Sequence, residues 1–139
     1  MFKPLLMTFM LGATSIAQAQ MYYVDASNGS DTWTGTAASC TGCDPATASS
    51  GPWRTVAKVN SSSFLPGDSV LFQCGGVWRE TLEVPSSGTA ATPISIGSYP
   101  AACPEGSSKP EITGSERITG WSSYTGNIYV ATANVSIAP

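Results

Sequence analysis

The sequence contains no histidine, which excludes Ser-His-Asp and Cys-His catalysis and His-ligated metal centres in one step. Charge is scarce as well: Asp, Glu, Lys and Arg make up 11% of the 139 residues. Its six Lys and Arg residues form no cluster, so the positive footprint that nucleic acid or an anionic membrane requires is missing. The same shortage weighs against direct attraction to a polyanionic polysaccharide. An acidic chain that binds a polyuronate needs a bridging cation such as calcium, or a local basic patch. Long apolar runs are absent too, since nothing approaches the roughly 20 residues of a membrane-spanning helix.

The first residues carry the pattern of an export signal. Lys3 gives a short positive region, Leu5-Leu6-Met7-Thr8-Phe9-Met10-Leu11 an apolar core, and Ala17-Gln18-Ala19 a small-x-small cleavage site. We expect a signal peptide over residues 1–19 and a secreted or periplasmic protein. A retained anchor is the weaker alternative, because no second apolar run and no lipid-accepting cysteine at the cleavage site accompany it. The mature chain then has 120 residues, with five basic and nine acidic side chains and a net charge of −4.

Ser, Thr and Gly dominate the polar positions, and strand formers are spread throughout, which suits an all-β extracellular fold of short strands and turns. Four cysteines, Cys40, Cys43, Cys74 and Cys103, follow the export signal, so disulfides are expected. Of the three connectivities we favour Cys40 with Cys43, which share one loop, and Cys74 with Cys103, which end strand-like runs. A redox role for Cys40-Thr41-Gly42-Cys43 lacks a surrounding βαβ pattern, and a four-cysteine zinc site lacks a second C-x-x-C.

The stretch from Pro66 to Val84 first commits the chain to a buried sheet. Pro66-Gly67-Asp68 signals a tight turn. Ser69-Val70-Leu71-Phe72-Gln73-Cys74 reads as a short strand that ends at Gly75-Gly76. From Glu80 the pattern alternates, with Leu82 and Val84 on one face of a second strand. The diglycine also allows a simple hairpin. Upstream, Tyr22-Tyr23-Val24 is a first strand, and Thr32 to Ser50 is a low-complexity loop pinned by its cysteine pair. At Pro52 the period changes: Trp53, Val56, Ala57 and Asn60 fall at helical spacing, Pro52 suits the first helical position, and Ser50 or Gly51 can cap. Two turns of helix must lay Trp53, Val56 and Ala57 on an apolar surface, the end of the sheet stack that begins at Ser69. Downstream strands are expected at 94–99, with Ile94 and Ile96 on one face, and at 111–114, 117–121 and 127–131. No Asn-Gly hairpin signal joins them, which suits a β-solenoid better than a meander.

Asp25 and Asp31 are the candidate calcium ligands, but an EF-hand loop started at Asp25 fails at its third, fifth, sixth and twelfth positions. Self-bonded turns by Asp25, Asn28 and Asp31 are the better expectation. Glu80, Glu83, Glu105, Glu111 and Glu116 are available for a two-carboxylate glycosidase site, yet surface solvation accounts for each of them. Arg79 and Glu80 are neighbours on a strand and face opposite sides. Trp53, Trp78 and Trp121 are candidates for stacking on sugar rings; packing suits Trp53, whereas Trp121, between Gly120 and Ser122-Ser123, is the candidate substrate-binding residue.

Tyr22-Tyr23-Val24-Asp25, Gly29-Ser30-Asp31, Gly35-Thr36, Pro52-Trp53-Arg54-Thr55, Pro66-Gly67-Asp68-Ser69-Val70, Gly88-Thr89, Pro93-Ile94 and Gly120-Trp121, in this order, resemble the N-terminal region of secreted right-handed parallel β-helix proteins of the pectate-lyase-like superfamily. The resemblance covers Tyr22 to about Ala131, and the cysteine-bearing insertion between Thr36 and Pro52 departs from it. It implies an all-β right-handed parallel β-helix: an N-terminal cap with one short helix over residues 20–68, and first coils over 69–139. The implied activity of the whole protein is polysaccharide lyase chemistry, with polysaccharide as partner, calcium as the cofactor such a protein could use, and a monomer as the expected state. No catalytic residue carries over, because no motif for the base and cation that elimination on a uronate requires occurs here. A non-catalytic adhesin on the same scaffold and a small disulfide-stabilised binding module are the alternatives. Solenoid repeats need at least three copies and two caps, so the sequence is expected to be part of a longer protein. Alone it would expose an open sheet edge.

Overall fold

A computed structural model describes residues 18–46, 49–115 and 117–132. The signal-peptide expectation falls mainly on residues 1–17, and Glu116 also lies outside the described residues. Within them the chain is all-β apart from one short helix: β1 (Met21–Val24), α1 (Val56–Asn60), β2 (Ser69–Gln73), β3 (Val77–Trp78), β4 (Ser95–Tyr99), β5 (Glu111–Ile112), β6 (Ser122–Thr125) and β7 (Ile128–Val130).

The strands form three small sheets. β1, β2 and β4 pair in parallel in that spatial order, β3 pairs in parallel with β5, and β6 pairs antiparallel with β7. Parallel neighbours need long crossovers, and here β3 and the loop after it intervene between Ser69 and its register partner Ser95. The hairpin alternative for the diglycine is therefore overturned: Gly75-Gly76 turns the chain from one parallel sheet into another. Gly76 accepts the Glu111 N–H at 2.9 Å and Gly75 donates to Ser108 at 2.7 Å, so the turn is bonded to the start of β5 and the loop before it.

Alternation along β2 sets the core. Val70 and Phe72 are fully buried, while Ser69, Leu71 and Gln73 between them are half-buried, as a period of two dictates. Val70 is in register with Tyr22 and Ile96, and Phe72 with Val24 and Ser98. Val24, Val70 and Phe72 join Trp53, Val56, Val59, Phe64 and Trp78 in one cluster, with Tyr22, Ala26, Leu82, Ile94 and Ile112 packed around it. Aromatic contacts close it: Tyr22 stacks on Trp53 at 5.0 Å, Phe64 meets Tyr22 edge-on at 5.3 Å, and Phe72 meets Trp78 edge-on at 5.0 Å.

Several local expectations are corrected. The helix starts at Val56, not Pro52, with Thr55 as its N-cap. Trp53 is extended because its N–H donates to Tyr23 and its carbonyl accepts from Asp25, both at 2.8 Å, in a bridge to β1. The helix buries Val56 and Val59 and leaves Ala57 exposed. Residues 80–84 form no strand, because their polar groups bond the helix and not a neighbouring strand. Asn60 donates to Thr81 (2.8 Å) and accepts from Glu83 (2.9 Å), while the Glu80 carboxylate accepts the Ala57 N–H (2.7 Å). Leu82 still reaches the core, but Val84 is exposed. Ile94 packs on the core just before β4, whereas Ile96 is 44% exposed. Residues 117–121 are irregular, and the expected last strand is one arm of an antiparallel hairpin turned by Gly126-Asn127, with Gly126 at φ 53°.

Candidate functional site

Tyr23, Asp25, Gly35 and Trp53, all within the motif pattern, meet at one edge of the three-stranded sheet and close it. β1 would be an open edge, but Tyr23 donates to Gly35 and accepts from Trp53, each at 2.8 Å, and Asp25 donates to Trp53. Glycine is required where this seal is tightest. Gly35 has φ 77°, and a Cβ there would run into the Trp53 indole. Gly51 lies so close to the Trp33 ring that a side chain would collide with it. The indole N–H of Trp53 donates to the Trp33 carbonyl (2.9 Å), and that of Trp33 donates to Asp44 (3.1 Å). The two tryptophans thus anchor the cysteine-bearing loop. Trp33, 6% exposed, was invisible in a low-complexity stretch; the available signal was a lone indole beside Gly51.

Both candidate calcium ligands are engaged by hydrogen-bond donors. Asp25 is 4% exposed, and its carboxylate accepts Ser27 N–H (2.8 Å), Asn28 N–H (3.0 Å) and the Asn28 amide (3.2 Å). Gln73, with its amide nitrogen turned toward the acid as the surrounding acceptors require, donates to Asp25 as well. Asp31 does not bond its own turn. It accepts the N–H groups of Arg54 (2.8 Å) and Thr55 (3.0 Å) and the Thr55 hydroxyl (2.8 Å), and the same hydroxyl accepts the Lys58 N–H at 3.0 Å to cap the helix. Among the described residues no three acidic or cysteine side chains gather where a metal ion could be held.

Asp68 does more than initiate a turn. It is 2% exposed and accepts the N–H groups of Gln20 and Leu65, both at 2.8 Å, so one carboxylate ties the start of the described chain to the turn before β2. Charged acceptors of backbone N–H groups are among the stronger hydrogen bonds. Trp78 is buried and donates to the Arg54 carbonyl at 2.9 Å. Glu80 holds the start of the helix, which corrects its expected role as a solvated surface acid, while Glu83, Glu105 and Glu111 are exposed. Arg79 donates to the Ser115 hydroxyl (3.2 Å) and takes no part in an acid–base pair with Glu80. Disulfides join Cys40 to Cys43 and Cys74 to Cys103, with Cα–Cα separations of 5.7 and 5.5 Å. No described helix is long and apolar enough to cross a membrane.

Tyr99 is in register with Gln73 at the end of the ladder, and its ring meets Tyr23 edge-on at 5.1 Å. Its hydroxyl is buried and finds no hydrogen-bond partner among the described residues. Burial first, then the charges of Asp25 and Tyr23, raise its pKa above the usual phenol range; burial and then Asp68 raise that of Tyr22. A raised folded-state pKa contributes stability that is fully present below the unfolded value of 10.0 and is lost as pH climbs through the folded one. We expect stability to fall from about pH 10 upward. Tyr99→Phe should be neutral or stabilising by about 1 kcal/mol at pH 7, since it deletes an unsatisfied hydroxyl, and should flatten the alkaline loss. Urea unfolding at neutral and alkaline pH checks both. A loss of more than about 1 kcal/mol at pH 7 would show that the hydroxyl is bonded.

The candidate sugar-stacking residues separate cleanly. Trp53 and Trp78 are core, whereas Trp121 is 58% exposed on the segment leading into β6. No family model and no curated protein matches the chain. Two crystal structures of the GH136 lacto-N-biosidase from Eubacterium ramulus, one native and one a selenomethionine derivative, are similar to it. Each shows 31% sequence identity over 58% of this chain and 11% of theirs, with a TM-score of 0.47. The matched stretch thus spans about a tenth of that enzyme's length.

Proposed function

We propose that this chain supplies the N-terminal cap and first coils of a right-handed parallel β-helix in an exported, carbohydrate-active protein. The observation that carries the reading is the asymmetry of the three-stranded sheet. Its β1 edge is closed by Gly35 and Trp53, while β4 has no strand on its outer side among the described residues. A closed first edge and an open last one are what a solenoid cap presents to the coils that stack on it. The stretch of chain from Ser69 to its register partner Ser95 has the length of one solenoid repeat, and parallel crossovers are right-handed in nearly all proteins. In this reading residues 1–19 are the export signal, 20–68 the cap and 69–139 the first coils. Asp25, Asp31, Asp68 and Glu80 are building residues. The base and cation needed for elimination on a uronate, the chemistry that the resemblance implies, belong to coils stacked beyond β4.

Ile96 gives the test. It occupies the ladder position beside buried Val70 and is nonetheless 44% exposed. The mature chain on its own should self-associate through this open end as its concentration rises, and Ile96→Lys should shift it toward monomer. Sedimentation velocity reads both. A wild-type chain that stays monomeric and unfolds cooperatively would instead be a small complete binding module.

A further inference from the structure

Asp68 is 2% exposed, and no Lys or Arg among the described residues is bonded to it; its carboxylate accepts only backbone N–H groups, those of Gln20 and Leu65, each at 2.8 Å. A buried carboxylate without a counter-charge is costly. The place is also a junction. The Asp68 carbonyl accepts the Ser95 N–H and the Gln20 carbonyl accepts the Ser69 N–H, both at 2.9 Å, so this corner joins the starts of β1, β2 and β4.

What sets Gln20 apart from Leu65 is its position in the chain. Ala17-Gln18-Ala19 carries the small-x-small pattern of an export cleavage site, and a cut after Ala19 makes Gln20 the first residue. In the uncut chain its nitrogen is a neutral amide with one hydrogen to donate. Hydrolysis by a signal peptidase adds water across the Ala19–Gln20 bond: Ala19 leaves with the new carboxylate, and the Gln20 nitrogen becomes an α-amine, which is mostly protonated at neutral pH. The cut thus delivers a cation to the atom that already lies 2.8 Å from the Asp68 carboxylate. Bonds between ionised partners are shorter and stronger than those between neutral ones.

We propose that removal of the export signal after Ala19 turns this contact into an ion pair: the Gln20 α-ammonium seats on the buried Asp68 carboxylate, and processing thereby fastens β1 to β2. This rests on the export reading above and extends it from where the chain is cut to what the cut creates. The seat also guards the new terminus. A free N-terminal glutamine closes on itself when its α-amine attacks the side-chain Cδ; the Cδ–Nε2 bond breaks, ammonia leaves and a lactam remains. The attacking amine must be unprotonated, and an opposite charge in contact keeps the proton on. The amide that would leave is held as well, since Gln20 Nε2 donates to the Met21 carbonyl at 3.0 Å.

Intact mass spectrometry of the mature chain, prepared to begin at Gln20, tests the seat through the loss of ammonia. The folded chain should cyclise at least about tenfold more slowly than the same chain unfolded in urea, and Asp68→Asn should remove most of that protection. Asp68 also holds Leu65, so circular dichroism is read alongside, and a second comparison leaves the site intact. A chain that begins at Ala19 moves the ammonium one residue away from the carboxylate. Under limiting acetic anhydride its α-amine should be acetylated about tenfold faster than that of the Gln20 chain, located by peptide mapping. Equal cyclisation of folded and unfolded chains, protection that survives Asp68→Asn in a folded variant, or equal acetylation of the two termini overturns the ion pair and leaves the export reading standing. The mass of the N-terminal peptide of the exported protein places the cut itself. A start at Gln20 agrees with the proposal; a start elsewhere overturns it together with cleavage after Ala19, while the cap assignment keeps its own sedimentation test.

Discussion

Phe72→Ala is expected to lower the unfolding free energy of the mature chain by about 3–5 kcal/mol. Phe72 is 1% exposed, lies between Val24 and Ser98 in the parallel ladder, and meets Trp78 edge-on at 5.0 Å. Alanine would remove that contact and leave a cavity that cannot readily close. One wall is held by β1–β2–β4 pairing; another is held by the Trp78 indole, which is bonded to Arg54. Domains are stable by only about 5–15 kcal/mol in total, so this single truncation removes a large share. Leu71→Ala is the matched control. Its side chain is on the opposite face of the same strand and half-buried, and its loss should cost nearer to about 1 kcal/mol. Urea unfolding at unchanged m-value measures both. Equal losses would mean that the two faces of β2 are wrongly assigned.

β2 was the part of this fold most legible in the sequence, because its boundaries are local chemistry: a Pro-Gly-Asp turn before it, two glycines after it, and a short run of strand formers between. What the local pattern could not contain was the identity of its neighbours. Val70 lies beside Tyr22, which precedes the cysteine loop and the helix, and beside Ile96, which follows β3 and the long loop after it, and no periodicity within a strand encodes such distances. The helix shows the opposite failure. Trp53, Val56, Ala57 and Asn60 carry helical spacing, but the Trp53 N–H and C=O are already committed to β1, and tertiary bonding overrides a weak local preference. The Gly126-Asn127 turn was a missed signal and not a hidden one, since Gly-Asn between apolar runs is itself hairpin chemistry.

The candidate site divides along the same line. Asp25 and Asp31 were recognisable as special because acids among turn formers stand out, but their partners differ. Asp25 bonds its own turn, whereas Asp31 reaches far ahead along the chain to Arg54 and Thr55. Asp68 and Glu80 were read as a turn former and a surface acid, and both hold distant backbone N–H groups. A carboxylate needs only one or two donors to be fixed in place, and sequence does not say from where they come. Trp121 was recognisable as exposed from its Gly and Ser neighbours. Tyr124 and Tyr129 were not, because an alternating strand with aromatic residues reads as half-buried until the absence of a packing partner is known.

The second large effect is expected at Cys74–Cys103. This bridge joins the corner after β2 to the loop between β4 and β5, closing a sequence separation of 29. Cys40–Cys43 closes a separation of only 3. If constraint of the unfolded chain dominates, stabilisation grows with the logarithm of loop length. That places the long bridge at about 3–4 kcal/mol and the short one about 2 kcal/mol lower. The native side of the balance favours the same order. The Cys74 N–H donates to Tyr99 at 3.0 Å and Gly75 donates to Ser108 at 2.7 Å, so both ends of the long loop are already held where the bridge forms and little ordering remains to be imposed. Replacing Cys74 and Cys103 together by alanine should therefore leave the mature chain marginal, while the Cys40/Cys43 double variant should keep a cooperative urea transition. The reverse order would place the main constraint on the Trp33 loop and make that loop, and not the segment from β2 to β5, the part of the molecule that depends on oxidation.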